Sequence, residues 1–468
     1  MVIYKSKLAV IAVLTGLGLS ACGGGSGSSS SSSGLTSGVI TGFGSVFVNG
    51  VEYETNGARI SVDGNPAGED SLQVGMRVTL RGSVNSDGRT GTATSIEYAD
   101  ELEGIVTSND TQTTGTLSVM GLTIRVDADT LFESKVGGIA GVADIVPGNI
   151  IEVSGHRLDD NTIQATYIEV KAQSHNGEEI EVKGVIGNLT ATSFTIGDMT
   201  VDYSGAQLEN IPGGTLSEGL YVEVKSTTGL DGSGNLVASK IELESGGDRD
   251  IDGSSGEEVK LAGPIGTGAD ASRFTLNGTT ILITNSTQFE HGSSSSIAVG
   301  VQVKVEGRFD DQGNLVAEEI KFGENTETEL EATLESVDPA AGTLVVMGLT
   351  VSTDNFTMLK DDSDSNSVRY FGLDDINPAT DRVEVSLFKD DITGELVARK
   401  IERHDSGGSD KLEGVVEGSP AANQITVAGV TVDISAIVTT PATGTKVEVK
   451  GSYDAGTGIM TATSLSTS

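Results

Sequence analysis

A nine-residue pattern recurs along this chain and constrains its fold more than any other feature. Its first copy reads Val74-Gly75-Met76-Arg77-Val78-Thr79-Leu80-Arg81-Gly82. Related stretches occupy 147–155, 219–224, 299–307 and 443–451. In Val301-Gln302-Val303-Lys304-Val305 and Val447-Glu448-Val449-Lys450, apolar and polar residues alternate strictly. Period two puts the valines on one face and the charges on the other, which describes a half-buried β-strand. A chain that repeats this pattern must build its core from several small all-β units.

The rest of each unit follows in fixed order. Units open with a glycine and two β-branched residues at Gly38-Val39-Ile40, Gly104-Ile105-Val106, Gly184-Val185-Ile186 and Gly414-Val415-Val416. Gly263-Pro264-Ile265 and Ala332-Thr333-Leu334 are degenerate versions. A pair of short strands comes next, split by a turn at Gly50, Gly121, Gly197-Asp198, Gly278, Gly348 or Gly429. Two such runs around a glycine turn predict a β-hairpin. Each unit closes on a run like Ala93-Thr94-Ser95-Ile96-Glu97 or Ala398-Arg399-Lys400-Ile401-Glu402.

Five short strands without helical periodicity predict a small closed barrel, since closure removes exposed edges. The expected fold class is all-β: a tandem array of six five-stranded antiparallel barrels, OB-like, with small β-sandwiches as the alternative. The units are placed at 38–100, 101–173, 174–247, 248–328 (with an acidic linker at its start), 329–405 and 406–468. Polar, acidic or glycine-rich junctions at 174–179, 244–258, 323–328 and 404–410 read as linkers. The junction at 97–101 is short. Close coupling is therefore expected between units one and two, and looser articulation later. The resulting expectation is an extended string of barrels.

These repeats resemble the tandem module known as domain of unknown function 5666, found in exported bacterial proteins and lipoproteins. The first unit carries the resemblance best, in Gly42-Phe43-Gly44-Ser45-Val46-Phe47-Val48-Asn49-Gly50-Val51-Glu52-Tyr53 and in 72–78. The similarity extends over nearly all of 38–466. It implies a modular envelope protein, and no activity or catalytic residue.

The N-terminus points to the same compartment. Lys5 and Lys7 precede an apolar stretch at 8–19, too short to span a bilayer comfortably. It ends in Leu19-Ser20-Ala21-Cys22, which resembles a lipobox, and Cys22 is the only cysteine. Residues 1–21 are expected to be a lipoprotein signal peptide, with Cys22 the lipidated N-terminus of the mature chain. Acyl chains contribute about 0.8 kcal/mol per buried CH₂, so two or three anchor stably. A Gly/Ser tether follows; 22–37 is assigned as acylated cysteine plus tether. Its twelve Gly/Ser residues reach roughly 20 Å root-mean-square. Gly23 after the cysteine favours an outer-membrane lipoprotein of a Gram-negative-type envelope, periplasmic or surface-facing.

Charge excludes one class of partner. The chain carries 67 acidic and 29 basic residues, a net −38, with no tryptophan. Such a surface repels nucleic acid, although OB-like barrels elsewhere bind it through basic grooves and aromatics. Asp248, Asp250 and Asp252 share the alternate spacing of a calcium loop, with Gly253 for the turn, but the twelfth position is Val259 and not glutamate. Calcium at these three aspartates is one expectation; an acidic linker is the plainer one. Asp361, Asp362 and Asp364, with Asp374 and Asp375, read as a solvated loop. His156, His175, His291 and His404 lack metal-site spacing and read as solvated surface. No Gly-x-Ser-x-Gly elbow is present, and no carboxylate pair stands out as a catalytic couple. The expected function is therefore a non-enzymatic envelope lipoprotein with a structural, spacer or interaction role, partnered by the membrane and by an envelope protein or glycan. The runner-up is a calcium- or carbohydrate-binding surface protein.

Overall fold

The computed structural model describes residues 33–244, 251, 253–324, 326, 328–363 and 367–467. The signal peptide, Cys22, Asp248, Asp250, Asp252 and Asp364 lie outside the described residues. The chain forms two compact units, one holding repeats one to four and the other repeats five and six.

The second repeat shows the plan. Leu102–Asn109 opens it; Thr116–Val119 and Leu122–Arg125 form the hairpin; Ile150–Asp159 and Thr162–Ala172 are the long fourth and fifth strands. Hydrogen bonds run first to second to third, third to fifth, fifth to fourth, and fourth back to first. The ring is closed, with the strand order 1-2-3-5-4 of an OB-like barrel. One step departs from the antiparallel expectation: the third and fifth strands run parallel, with Thr123 opposite Thr162. This follows from order alone, because the fifth strand returns to the third after one intervening strand. Repeats five and six close the same circuit. In repeats three and four the first-to-second step narrows to single bridges, Gly187 to Thr195 and Ile265 to Leu276.

Local sequence explains two recurring details. Five hairpin turns have positive φ at both central residues, led by Asn49, Met120, Asn277, Met347 and Ala428 and each followed by glycine. That backbone matches the right-handed strand twist. The turn folds back over the opening strand, and the opening glycine leaves room for it: a Cβ on Gly38 would lie 1.9 Å from Asn49 Oδ1 and one on Gly104 2.7 Å from Met120 Sδ. The second detail is a bulge late in the fourth strand, at Gly82, Gly155, Gly307 and Gly451. A Cβ there would meet the fifth-strand carbonyl of Thr92, Gln164, Val316 or Thr461 at 2.1–2.3 Å. The fifth repeat carries Leu387 at the corresponding shift, buried in its core.

The opening strands also join the repeats. Leu102 lies opposite Val182, bringing repeats two and three together antiparallel. Leu330 lies opposite Leu412, joining five and six the same way. Leu35 lies opposite Val259, joining one and four in parallel. All six of these residues are fully or almost fully buried. Two sequence expectations are corrected here. Residues 33–37, placed at the end of the tether, are already strand, because Leu35 has an apolar seat against the fourth repeat. The articulation after repeat two is not loose: repeats three and four each pair their opening strand with an earlier repeat. Ile251, within the stretch read as an acidic linker, enters the core of repeat four.

The bulge gives a direct test. Gly451→Ala should destabilise the unit of repeats five and six by about 1–3 kcal/mol, the range for forcing an extra carbon into a packed site. Chemical denaturation followed by circular dichroism reads this as a lower midpoint. An unchanged midpoint would show that the backbone there relaxes freely.

Candidate functional site at the junction of the first four repeats

The charged faces of the alternating strands were expected to meet water. In the first unit many of them meet each other. Arg77, on the fourth strand of repeat one, is 6% exposed. Its Nη2 donates to Glu101 Oε1 at 2.7 Å and its Nε to the Gly155 carbonyl at 2.6 Å. Its backbone N–H donates to Ser154 Oγ at 2.9 Å. Arg157 Nη2 approaches the other Glu101 oxygen at 3.4 Å and the Lys183 carbonyl at 3.3 Å. The Arg157 backbone N–H donates to Asn277 Oδ1 of repeat four at 2.8 Å. Glu101 thus sits between two guanidinium groups, at a point where side chains from four repeats converge.

A second centre lies beside it. Lys183 Nζ donates to the Asp100 carbonyl at 2.7 Å and lies 3.0 Å from Glu181 Oε1. Tyr98 donates to Glu152 Oε1 at 2.6 Å, and Lys171 holds the other Glu152 oxygen. Asp100, Glu103 and Glu152 bring one carboxylate oxygen each within 4.8 Å of one another. Lys183 engages Asp100, and Tyr98 and Lys171 engage Glu152, so two of the three carboxylates are already held by a cation or hydroxyl of the protein, and the trio is not assigned as a metal centre.

Burial and charge set the protonation of these groups. Glu101 is held below the usual carboxylate range: burial opposes its charge, but Arg77 and Arg157 outweigh it. Burial drives Asp100 well upward against the pull of Lys183, with Glu181 and Asp63 adding to the rise. Glu103 is pushed up to about 7, first by burial and then by Glu152 and Glu181, while Lys171 opposes. Burial followed by the neighbouring Arg77 lowers His156 to about 3.

Two sequence readings are overturned by this packing. His156, expected on the solvated surface, is 4% exposed and lies against Gly263 of repeat four, where a Cβ would stand 2.7 Å from its Nδ1. It is neutral there, and among the described residues its Nδ1 has no hydrogen-bond partner. Asp361, expected in a solvated loop, is buried and pairs with Arg403 in repeat five. Asp374 and Asp375 lie in the short 3₁₀ turn Leu373–Asp375, where the Asp375 carboxylate accepts from the Gly372 N–H and its carbonyl accepts from Arg403. His156 is covered by a different repeat, whereas Asp361 is covered from within repeat five, by Arg403 and by Ser363 and Val368 of its own loop. The residues that sequence reasoning missed, Arg77, Asp100, Glu101, Arg157 and Lys183, carried one usable signal: Asp100 and Glu101 fall in the shortest junction.

Six tandem segments of the chain, 35–97, 103–169, 183–242, 262–321, 331–402 and 413–466, match the family model described as Domain of unknown function (DUF5666). The chain belongs to the DUF5666 family. The matched segments follow the repeats seen in the structure, and their boundaries fall at or near the opening and closing strands. No curated protein matches this DUF5666 chain in sequence.

The junction yields two expectations. Glu101→Gln should cost the first unit about 3–5 kcal/mol, because it leaves buried guanidinium charge uncompensated. Adding Arg77→Met should restore part of that loss in a double-mutant cycle, whereas simple additivity would show the two residues to be energetically independent. For His156, the folded imidazole resists protonation and the unfolded one does not. Its contribution is therefore full above about pH 6.5 and is lost as pH falls toward 3. A His156→Gln chain should accordingly show a shallower loss of thermal stability between pH 6 and 4 than the parent.

Proposed function

We propose that this chain is a cell-envelope lipoprotein whose six repeats serve a structural or interaction role and carry no catalysis. One observation supports this reading above others. Where polar and charged side chains converge, at the junction of repeats one to four, they are engaged with each other. Arg77 is engaged by Glu101 and the Gly155 carbonyl, and Lys183 by Asp100 and Glu181. A catalytic constellation needs groups poised toward an incoming substrate. This one is aimed inward and holds barrels to barrels. Repetition supports the same conclusion, because six similar units serve reach, spacing or multivalent contact better than they serve a single reaction centre.

The location rests on the N-terminal residues. A lipidated Cys22 would anchor the chain in the outer membrane of a Gram-negative-type envelope through its acyl chains, and the Gly/Ser stretch would hold the barrels away from the bilayer. With a net charge of −38, the displayed surface suits an envelope protein or glycan partner and not nucleic acid.

Metabolic labelling with a palmitate analogue, followed by membrane fractionation, tests the anchor. The parent chain should incorporate label and sediment with outer membranes. Cys22→Ser should lose the label and move to the soluble envelope fraction. Persistence of the variant in the membrane would remove the basis for the lipoprotein assignment.

A further inference from the structure

The joint between repeats two and three and the joint between five and six share one plan, so each is a control for the other. In both, facing residues on adjacent strands form a lateral row across the joint. The five-six row reads Lys360, Glu402, Glu384, Glu331, Lys411 and Lys450. Cations flank the three glutamates, and Glu331 at the centre receives Arg382 Nε at 2.9 Å. The two-three row reads Glu133, Glu169, Glu152, Glu103, Glu181 and Lys225. Five carboxylates stand side by side. Ile150 occupies the place of Arg382: it faces Ile105, two residues beyond Glu103, as Arg382 faces Thr333, two beyond Glu331. Lys135, Lys171, Lys183 and Lys225 pair with Glu169, Glu152 and Glu181. Among the described residues, no lysine or arginine forms an ion pair with the central Glu103. Like charges directly opposed across strands are repulsive, so this joint carries negative charge that its counterpart has neutralised.

We propose that the joint between repeats two and three is a proton-operated clasp, closed while its carboxylate row holds shared protons and loosened when they leave. The groups facing Glu103 come from every neighbouring element. The fourth strand of repeat two gives Glu152, and the fifth gives Glu169 and Lys171. The opening strand of repeat three gives Glu181 and Lys183, backed by Glu223 and Lys225. Repeat one and its junction give Asp63, Tyr98, Asp100 and Glu101.

The direction follows from their protonation. Burial, then the hydrogen bond to Glu181, lifts Glu223 to about 8, so a protonated Glu223 can donate to the Glu181 carboxylate. Glu103 at about 7, Asp100 and Asp63 are raised as well, burial being the first cause in each. Raised carboxyls bind protons more tightly when folded, so their contribution is full below the ordinary value of about 4.5 and is lost progressively as pH rises to the folded values, about 7 for Glu103 and about 8 for Glu223. Glu101 and Glu181 are held low against burial, by Arg77 and by Lys183 respectively. Their contribution is lost only in strong acid. His156 stays neutral above about pH 6.5 whether folded or not, so the window from 6.5 to 8.5 isolates the raised carboxyls. In the five-six joint Glu329, Glu335 and Asp362 are also raised, burial being the first cause in each, with Lys411 opposing at Glu329 and Lys360 at Asp362; the cations of that row make a shallower response the expectation there.

Hydrogen-exchange mass spectrometry on the full chain tests the clasp, with rates corrected for intrinsic exchange at each pH. Between pH 6.5 and 8.5, protection in 102–109 and 180–185 should fall by about tenfold, the scale of one proton released per opening across one pH unit. Protection in 328–338 and 410–418 should fall less. Glu103→Gln, which keeps the shape and removes the charge, should flatten the response of the first pair. An equal or steeper fall at the five-six joint, or a Glu103→Gln chain with the parental slope, would overturn the proposal.

Discussion

Pairing between opening strands is the interaction on which the rest of this protein depends. A barrel of sixty to eighty residues encloses a thin core and is marginal alone. Each repeat here extends its core by laying one apolar residue of its opening strand against an apolar residue on the opening strand of another repeat: Leu102 against Val182, Leu330 against Leu412, Leu35 against Val259. The cores of repeats two and three become one cluster as a result, and so do those of five and six. The same pairing sets the chemistry of the joints. Strand alternation requires that when apolar residues meet on one face, the charged residues beside them meet on the other. Rows of glutamate and lysine are thus a necessary by-product of the way the repeats adhere.

That by-product divides what was legible in the sequence from what was not. Alternation in 301–305 and 447–450, the glycine turns and the closing Ala-to-Ile runs sufficed for six small barrels, because each is a local pattern with a local physical cause. The parallel third-to-fifth step needed only the strand order. Partner choice was not local. Nothing near Leu35 indicates that it will lie beside Val259, more than two hundred residues later. Without that knowledge His156 reads as solvated and the linkers read as hinges, while Asp361 reads as solvated because its partner Arg403 lies 42 residues away in the same repeat.

The two antiparallel joints show how much one position can change. Arg382 and Ile150 hold corresponding places, and each suits its own surroundings: the arginine reaches Glu331, Asp410 and two backbone carbonyls, while the isoleucine joins the apolar cluster of repeats two and three. One joint gains an internal counter-ion and the other gains core. A buried arginine with several partners is costly to desolvate but gives a specific geometry, whereas an apolar residue strengthens packing and leaves the neighbouring carboxylates to share protons.

The order in which repeats pair has a further consequence for how the chain is made. Repeats five and six are neighbours, as are two and three, so each pair can close as soon as its second member is free to fold. Repeat one pairs with repeat four, and its opening edge has no partner until both intervening repeats have been synthesised. An exposed strand edge is where chains aggregate or exchange segments. The opening strand Ser33–Phe43 therefore spends the longest time with an open edge, although it is the first part of the folded region to appear.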